Sequence, residues 1–345
     1  MINEVYNSET RKSNIDILRA ICAFLIVCIH APFPGEAGAY FVTISRIAVP
    51  IFFMITGYFY VDIKEQHKEK SQIIKIIVLN LKANLIFFIW DIAFHLLSKE
   101  SLIDFVRSLF SWKNLFKLFV FNESPLASHL WYLGAILYVL LIILFVDKVN
   151  CRKILYAFVP ILIIIDLLLG KYSLVIFHRE FPFILVRNFL CVGIPYFCIG
   201  NLIREKRWNI SKQRNIIMLV IFTFTGILER FMLVNLEMNA TRDQYISTTF
   251  LSVYFFIFVL KSNWHNTTLA IIGRKYSTGI YVLHPIFITI LLVITNRLEQ
   301  IKSIYDFVEP IIVYFLTLIF LIIFEKFKKT YKKWRNLCTT LVTNR

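Results

Sequence analysis

Long apolar runs alternate with short polar segments along almost the whole chain. Many runs are as long as the roughly 20 apolar residues that an α-helix needs to cross a bilayer. Because the short alternating strands of a membrane barrel are not seen, the pattern predicts an all-α, polytopic integral membrane bundle of about ten transmembrane helices. The predicted spans cover residues 15–34, 40–61, 74–97, 130–147, 153–170, 184–203, 215–235, 244–261, 277–296 and 306–326.

The composition agrees with a membrane protein. Hydrophobic residues make up 58% of the 345 positions, 34 of them Phe, and the mean hydropathy is +0.68. A soluble domain of this length is closer to half apolar. No small-residue cleavage site follows the first apolar run, so we expect that run to stay as an anchor. We expect a single membrane domain over residues 1–345, without a separate soluble catalytic domain.

The net charge of +16 does not indicate a nucleic-acid partner, because the basic residues form short clusters between the apolar runs. Such clusters are typical of cytoplasmic loops of membrane proteins. With the N-terminus inside, 24 of the 38 Lys and Arg residues fall in inside segments and 9 in outside segments. The bias predicts a multi-pass protein of the plasma membrane with both termini cytoplasmic, the last being a basic tail at 327–345.

The longest predicted loop, 98–129, contains apolar residues at helical spacing with Arg107, Lys113 and Lys117 between them. This pattern predicts an amphipathic segment at about 100–121, lying on the outer membrane surface. The six cysteines contain no CxxC pair and are interpreted as small buried apolar residues. No metal site is expected.

Ionisable residues inside the predicted spans are the most informative positions about function. An unpaired charge in hydrocarbon costs several kcal/mol, so each such residue is expected to face the bundle interior with a partner. Arg19 and His30 are eleven residues apart on the first span. At about 100° per residue this places them on one helix face, about 16 Å apart along the axis. Asp16 lies one turn before Arg19, so a structural ion pair competes with a functional role. Two further structural interpretations are snorkelling of Arg19 to the inner headgroups and simple packing of the His30 ring.

The remaining in-span candidates divide between the two halves of the membrane. Those predicted in the outer half, with His30, are Arg46, Asp91, His129, Arg187 and Glu229. Those predicted in the inner half, with Arg19, are Lys82 and Lys275. The ninth span adds His284. Such an arrangement suits two substrates that arrive from opposite sides, and it suits a transport path equally well.

Several motifs resemble those of membrane acyltransferase family 3. They are Arg19 and His30 separated by ten residues, FFMITGY with Thr56 in place of the usual serine, HLWYL, RNFLCVGIPYFCIG and YVLHP. The resemblance covers essentially the whole chain. One departure is the segment KIIVLNLKANL, which offers Lys75 and Lys82 where many glycan-modifying members carry an RxxR pair.

The resemblance implies a bacterial cell-envelope O-acetyltransferase that transfers an acyl group from cytoplasmic acetyl-CoA to a hydroxyl of a surface or lipid-linked glycan. It makes His30 the general base, and Arg19, beside Asp16, the donor-phosphate ligand that Lys82 and Lys275 assist. The implied partners are the bilayer, acyl-CoA and the glycan acceptor, and the oligomeric state stays open. The acceptor-binding candidates are Arg46, Asp91, His129, Trp131, Arg187, Glu229 and His284.

A second resemblance gives the main alternative. The series RIAVPIFFMITGYFY, HLWYL, GILERF and YVLHP is similar to the membrane half of vancomycin-resistance serine racemases. That half is associated with serine uptake, which would make this chain a transport module for serine or another amino acid. About twenty residues follow the tenth predicted span, so no racemase domain is expected within this sequence.

Overall fold

The structure, a computed structural model, describes residues 2–208, 210–264 and 266–343, and these form α-helices joined by short loops. The α-helices in chain order are α1 (Ile2–His30), α2 (Gly35–Ser45), α3 (Ala48–Glu65), α4 (Glu69–Ser98), α5 (Leu102–Leu109), α6 (Trp112–Phe121), α7 (Trp131–Lys148), α8 (Arg152–Leu169), α9 (Ser173–Phe177), α10 (Ile194–Lys206), α11 (Lys212–Asn235), α12 (Ile246–Lys261), α13 (Thr267–Thr295) and α14 (Glu299–Thr343). The predicted all-α fold is therefore confirmed.

Seven segments of the described chain are long and apolar enough to cross a membrane. They are Ser13–His30, Gly35–Glu65, Glu69–Ser98, Ser128–Lys148, Lys212–Asn235, Thr267–Thr295 and Ile304–Lys332. Each corresponds to one of the ten predicted spans. The multi-pass prediction is thus confirmed at the level of seven spans.

The other three predicted spans are helical but less regular or more polar. Helix α8 carries Arg152, Lys153 and Asp166 within 18 residues, and α12 has only 16 residues. The run 184–203 is not one helix, which corrects the prediction. It consists of the end of a 3₁₀ turn, a π-helix at Phe189–Gly193 and then α10. The break follows from Asn188, whose side-chain oxygen accepts hydrogen bonds from the N–H groups of Leu190 and Cys191 and caps a new helix.

Two further boundaries differ from the predicted ones for local reasons. Helix α3 restarts at Ala48 after a break at Arg46 and Ile47, and Pro50 lies in its first turn, where a missing N–H is tolerated. The amphipathic segment predicted at about 100–121 forms two helices, α5 and α6. The side-chain oxygens of Ser101 and Ser111 cap them.

The chain divides into two compact units. The first consists of the residues up to Ile15 and of Thr43–Asn263, and the second of Asp16–Val42 and Trp264–Arg345. Helix α1 contributes to both units, because the division falls between Ile15 and Asp16 inside that helix.

The first unit has ion pairs at two opposite ends of its helices. At one end, called the Asp147 end, Arg152 pairs with Asp147 at 2.6 Å and with Glu205 at 3.1 Å. At the other, called the Asp243 end, Arg46 pairs with Asp243. Helices α3, α8, α10 and α12 all extend from one end to the other. Helices α10 and α12 pack against α3, and α8 packs against α10.

Close helix packing holds α3 against α10. A Cβ atom on Gly57 would lie 1.9 Å from the Phe197 carbonyl oxygen, and one on Gly200 would lie 2.1 Å from that of Met54. Only glycine permits such an approach. Small residues at a helix crossing are the usual means of association in membranes, where packing replaces the hydrophobic effect.

The second unit is built from the latter part of α1, together with α13 and α14. Its core contains Ala23, Val27, Ile280, Val313 and Leu318. A Cβ atom on Gly273 would lie 1.6 Å from the Asp16 carbonyl oxygen, so α1 and α13 cross closely there. Since His30 also contacts His284 farther along, α1 and α13 run parallel.

Candidate functional site

A charged group lies at the crossing of α1 and α13. The Arg19 guanidinium donates to the Asp16 carboxylate at 2.9 Å, and Arg274 Nε lies 3.9 Å from the same carboxylate. Asp16 is 9% exposed at its side chain, whereas Arg19 is 29% exposed. The two arginines outnumber the carboxylate, so these three side chains present net positive charge. The structure forms the Asp16–Arg19 ion pair that the sequence left open.

The two histidines form the next contact along the same helices. The centroids of the His30 and His284 rings are 5.1 Å apart, and their planes are inclined at 44°. His284 is fully buried, and its Nδ1 lies 3.0 Å from the Ile280 carbonyl oxygen. Because a carbonyl only accepts, Nδ1 carries the proton and Nε2 is the acceptor nitrogen in the neutral ring. His30 is exposed.

The position of His284 follows from the sequence around it. Pro285 has no N–H and releases the Tyr281 carbonyl, four residues earlier, from the helical ladder. The backbone of Tyr281 hydrogen-bonds the His284 ring, together with Ile280. A proline following a histidine therefore frees, within α13, one of the two acceptors that hold the ring against His30.

Helix α1 is continuous between the charged group and the histidines. Eleven residues separate Arg19 from His30, a rise of about 16 Å. On α13 the same interval separates Gly273 from His284, with buried Ser277 and Ile280 between them. Because the helices are parallel, Arg19 and Arg274 lie near one end of the α1–α13 contact and the two imidazoles lie near the other.

A second polar group lies at the Asp243 end of the first unit. Asp243 pairs with Arg46 and lies 3.7 Å from Arg187 Nε. The Arg187 guanidinium also stacks on aromatic faces, 5.2 Å from the ring centroids of both Trp131 and Phe183. The structure thus brings together three predicted acceptor residues, Arg46, Arg187 and Trp131, around a carboxylate that sequence reasoning missed.

Lys171 belongs to the same end and was also missed. Its ammonium donates to the Ala240 carbonyl at 2.6 Å and lies 4.4 Å from the centroid of the Tyr245 ring. Burial, assisted by Arg46, lowers the pKa of Lys171 to about 7. Burial alone would raise the pKa of Asp243, but Arg46, Arg187 and Lys171 outweigh it and lower that pKa. A charged Asp243 therefore holds the surrounding cations.

Arg242 and Glu180 complete the Asp243 end. Arg242 lies 3.1 Å from the Glu180 carboxylate, and its guanidinium is 4.8 Å from the centroid of the Phe183 ring. The Thr241 backbone N–H donates to Glu180 and lowers the pKa of that carboxyl. Both residues lie in loops outside the predicted spans, where the cost of burial in hydrocarbon does not single them out. The adjacent charges of the TRD triplet at 241–243 were the feature of the sequence that could have identified this end.

Other predicted site residues lie elsewhere. Lys82 is exposed on α4, and Lys275 lies 3.7 Å from Glu325. Asp91 contacts His95 through its backbone, where the ring Nδ1 is 2.8 Å from the Asp91 carbonyl oxygen.

His129 and Glu229 have contacts of a structural kind. The His129 ring packs edge-on against Phe87, with centroids 4.9 Å apart. The Glu229 carboxylate accepts hydrogen bonds from the backbone N–H groups of Ile246 and Ser247 at 3.0 and 3.2 Å. It thereby caps the first turn of α12, where a negative charge is favoured. Among the described residues, no group of three His, Cys, Asp or Glu side chains has the geometry to hold a metal ion.

Comparison with known proteins identifies the family. A curated amino-acid racemase from Enterococcus faecalis is 27% identical over 330 residues, which cover 85% of this chain and 43% of the racemase. The chain therefore spans less than half the length of that relative. No solved structure matches significantly. The model of the acyltransferase 3 family, described as an acyltransferase domain, matches residues 12–326, and this chain is a member of that family.

Proposed function

We propose that the chain is a membrane-embedded O-acyltransferase. It moves an acyl group, acetyl in the first instance, from cytoplasmic acyl-CoA to a hydroxyl of a surface or lipid-linked glycan. The observation that carries the proposal is the shared face of α1 and α13. This face has the cations Arg19 and Arg274 at one end and the His30–His284 contact at the other. The chain belongs to an acyltransferase family, in which a cationic group and a histidine suit a donor phosphate and a general base.

His30 is the proposed general base. A sugar hydroxyl is a weak nucleophile at neutral pH, and a neutral imidazole can accept its proton as it attacks the thioester carbon. The C–O bond then forms as the C–S bond breaks, and the thiolate that leaves takes up a proton. His284 orients the His30 ring by direct contact, and its own ring is held by two backbone carbonyls.

Arg19 is the proposed ligand of the donor's phosphates. A guanidinium is always charged and matches phosphate oxygens in geometry. Asp16 is proposed to position it, since the carboxylate is nearly buried and holds the guanidinium at 2.9 Å. Arg274 adds a second cation that was not predicted. Lys275 and Lys82 are proposed to assist. Lys275 lies 3.7 Å from Glu325, and Lys82 is exposed on α4.

The proposed topology has ten crossings with both termini cytoplasmic. Between α1 and α13 lie four of the seven long spans, and an even number of crossings would make α1 and α13 antiparallel. The parallel arrangement supports an odd number, which α8, α10 and α12 supply as further crossings. The orientation rests on the excess of Lys and Arg in the inside segments. Helices α5 and α6 would then lie on the outer surface.

The acceptor is proposed to bind near Arg46, Arg187 and Trp131. Sugar rings stack on indole faces, and arginines donate to hydroxyl and carboxylate oxygens. Asp91, His129 and Glu229 are less favoured as acceptor contacts. The Glu229 carboxylate caps α12, and His129 packs on Phe87.

The test uses radiolabelled acetyl-CoA and inverted membrane vesicles of the producing cell, with label measured in the glycan fraction. We expect His30→Asn to lower transfer about 100-fold or more, the contribution of a general base. His178→Asn is the matched control, because His178 has a φ of 55° that asparagine tolerates, and it should leave transfer unchanged.

Two results would contradict the proposal in different ways. Equal labelling by the His30→Asn and wild-type proteins would remove the base assignment. Absence of CoA-dependent labelling by the wild-type protein would remove the acyltransferase function itself.

A second candidate is an amino-acid transport module. It is favoured by the similarity to an amino-acid racemase and by the Asp243 end, where cations and carboxylates lie close together and suit a zwitterion. Uptake of radiolabelled serine by proteoliposomes without acyl-CoA would support it. In that case Arg187→Gln should abolish uptake, while His30→Asn should not.

A further inference from the structure

Two adjoining cavities lie along α12 in the first unit. One, of about 340 Å³, is lined by residues that include Tyr58, Arg204, Arg207, Trp208, Ile257 and Lys261. The other, of about 460 Å³, is lined almost wholly by apolar side chains of α8 and α12, among them Ile164, Ile246, Phe250 and Val253. Trp208 and Ile257 line both, so a basic pocket passes directly into an apolar groove.

The basic pocket carries net positive charge. Its described lining includes three cations, Arg204, Arg207 and Lys261, and no carboxylate. Arg204 pairs with Asp62 at 2.6 Å, and its guanidinium lies 5.3 Å from the centroid of the Tyr58 ring. The Lys261 ammonium donates to a backbone carbonyl, and Arg207 is exposed. One carboxylate beside three cations leaves charge to hold an anion.

The chain conformation after α10 places two of these residues at the pocket. Helix α10 ends at Lys206, and Arg207 is in the left-handed region at a φ of 48°. The chain turns there instead of continuing along the helix. Arg207 and Trp208 are thereby set beside the mouth of the cavity, with Trp208 41% exposed. An indole at such a position is typical of the boundary between membrane and water.

The apolar groove has the length of a lipid chain. Ile257 and Ile246 are eleven residues apart on α12, which corresponds to a rise of about 16 Å. One leaflet of hydrocarbon is about 15 Å thick, half of the bilayer core. Ile164, Ile246 and Phe250 in the groove are 45–53% exposed although they are large and apolar.

We propose that the basic pocket and the groove together bind one anionic phospholipid. Its phosphate headgroup lies among Arg204, Arg207 and Lys261, and one acyl chain follows the groove along α12. Basic pockets between membrane helices are known to bind lipid headgroups by charge. A nucleotide would use the cations and Trp208 but would leave the apolar groove empty, so the continuity of the two cavities favours the lipid. The lipid site does not depend on the proposed acyltransferase function.

The test measures lipid retained by the full-length protein purified in detergent, using native mass spectrometry with added phosphatidylglycerol or phosphatidylcholine. We expect clear preference for phosphatidylglycerol. Arg207→Gln should lower its affinity about fivefold, equivalent to about 1 kcal/mol for one basic residue. Lys206→Gln removes the same charge from the neighbouring residue, which does not line the pocket, and should change affinity less than about twofold.

A second variant tests the groove. Val253→Trp fills the apolar cavity but leaves every cation in place, so we expect it to lower phosphatidylglycerol retention at unchanged charge. Elution as a monodisperse peak in size exclusion establishes that each variant is folded. Equal retention by wild-type, Arg207→Gln and Val253→Trp proteins would overturn the proposal. Retention of adenosine 3′,5′-bisphosphate without any preference for phosphatidylglycerol over phosphatidylcholine would overturn it in favour of a nucleotide pocket.

Discussion

The ion pairs of Asp243 offer a direct measurement of how much charge pairing stabilises the first unit. Asp243→Asn preserves shape but removes the negative charge that faces Arg46 and Arg187. The three side chains are 20%, 26% and 23% exposed, so water screens the remaining repulsion only in part. Removing one partner of a fully buried pair costs about 3–5 kcal/mol, and breaking an exposed pair costs about 0–1 kcal/mol. The partial exposure places Asp243→Asn between these limits, at about 2–3 kcal/mol.

Thermal unfolding in detergent measures this loss. At about 2 °C per kcal/mol for a large domain, we expect the midpoint to fall by about 4–6 °C. A thiol-reactive fluorophore reports the transition, because Cys191 and Cys198 of the first unit are buried free thiols. Glu123→Gln is the matched control. It breaks the half-exposed pair of Glu123 with Lys117 and should shift the midpoint by about 2 °C or less.

A double-mutant cycle then separates charge from packing. Arg46→Met removes the cation that Asp243 contacts, so Asp243→Asn should cost less in that background than in the wild type. A midpoint shift for Asp243→Asn no larger than that for Glu123→Gln would refute the expected loss of ion pairing. Simple addition of the costs of Arg46→Met and Asp243→Asn would also refute it, because the two side chains would then be energetically independent.

Three further predictions concern single positions. Since Lys171 has a pKa of about 7 when folded and about 10.4 when unfolded, the unfolded state binds more protons between these values. Stability should therefore rise from about pH 7 to 10 by up to about 1.4 kcal/mol per unit and lose this slope in Lys171→Met, and an unchanged slope would count against it. Gly273→Leu should separate α1 from α13 and abolish acyl transfer, whereas retained activity would show that the crossing is not needed. Asn188→Ala should lower stability by about 1–2 kcal/mol through loss of a cap, and an unchanged unfolding midpoint would contradict this.

The long helices could be predicted because their boundaries depend on local sequence. The helix Lys212–Asn235, for example, contains an 18-residue stretch with a mean hydropathy of 2.0, which is long enough to cross a bilayer. The run 184–203 is also rich in apolar residues, but there a single side chain decides the structure. Asn188 offers its oxygen to two backbone N–H groups and donates to the Ile184 and Leu185 carbonyls, so a cap replaces the helix. Average hydropathy does not register one capping residue.

The candidate site was predictable only where one helix defines it. The shared face of Arg19 and His30 follows from helical periodicity, and the Asp16–Arg19 pair follows from a spacing of three residues. The contact of His30 with His284 depends on how two helices far apart in sequence pack. Asp243 and Lys171 lie in loops, where neither periodicity nor the cost of burial in hydrocarbon singles out a residue.

In the second unit, contacts between α1 and α13 fix the distance between Arg19 and His30. On α13, Gly273 allows the close crossing beside Asp16, and His284 contacts His30 eleven residues later. The two contacts are fourteen residues apart on α1 and eleven apart on α13, so the parallel helices stay together over about three to four turns. A change in the length of either helix would rotate its histidine by about 100° per residue, away from the partner ring. The distance between the cationic group and the histidines is therefore set by both helices together, and the apolar residues between Arg19 and His30, including Ala23 and Val27 of the core, act by packing that maintains it.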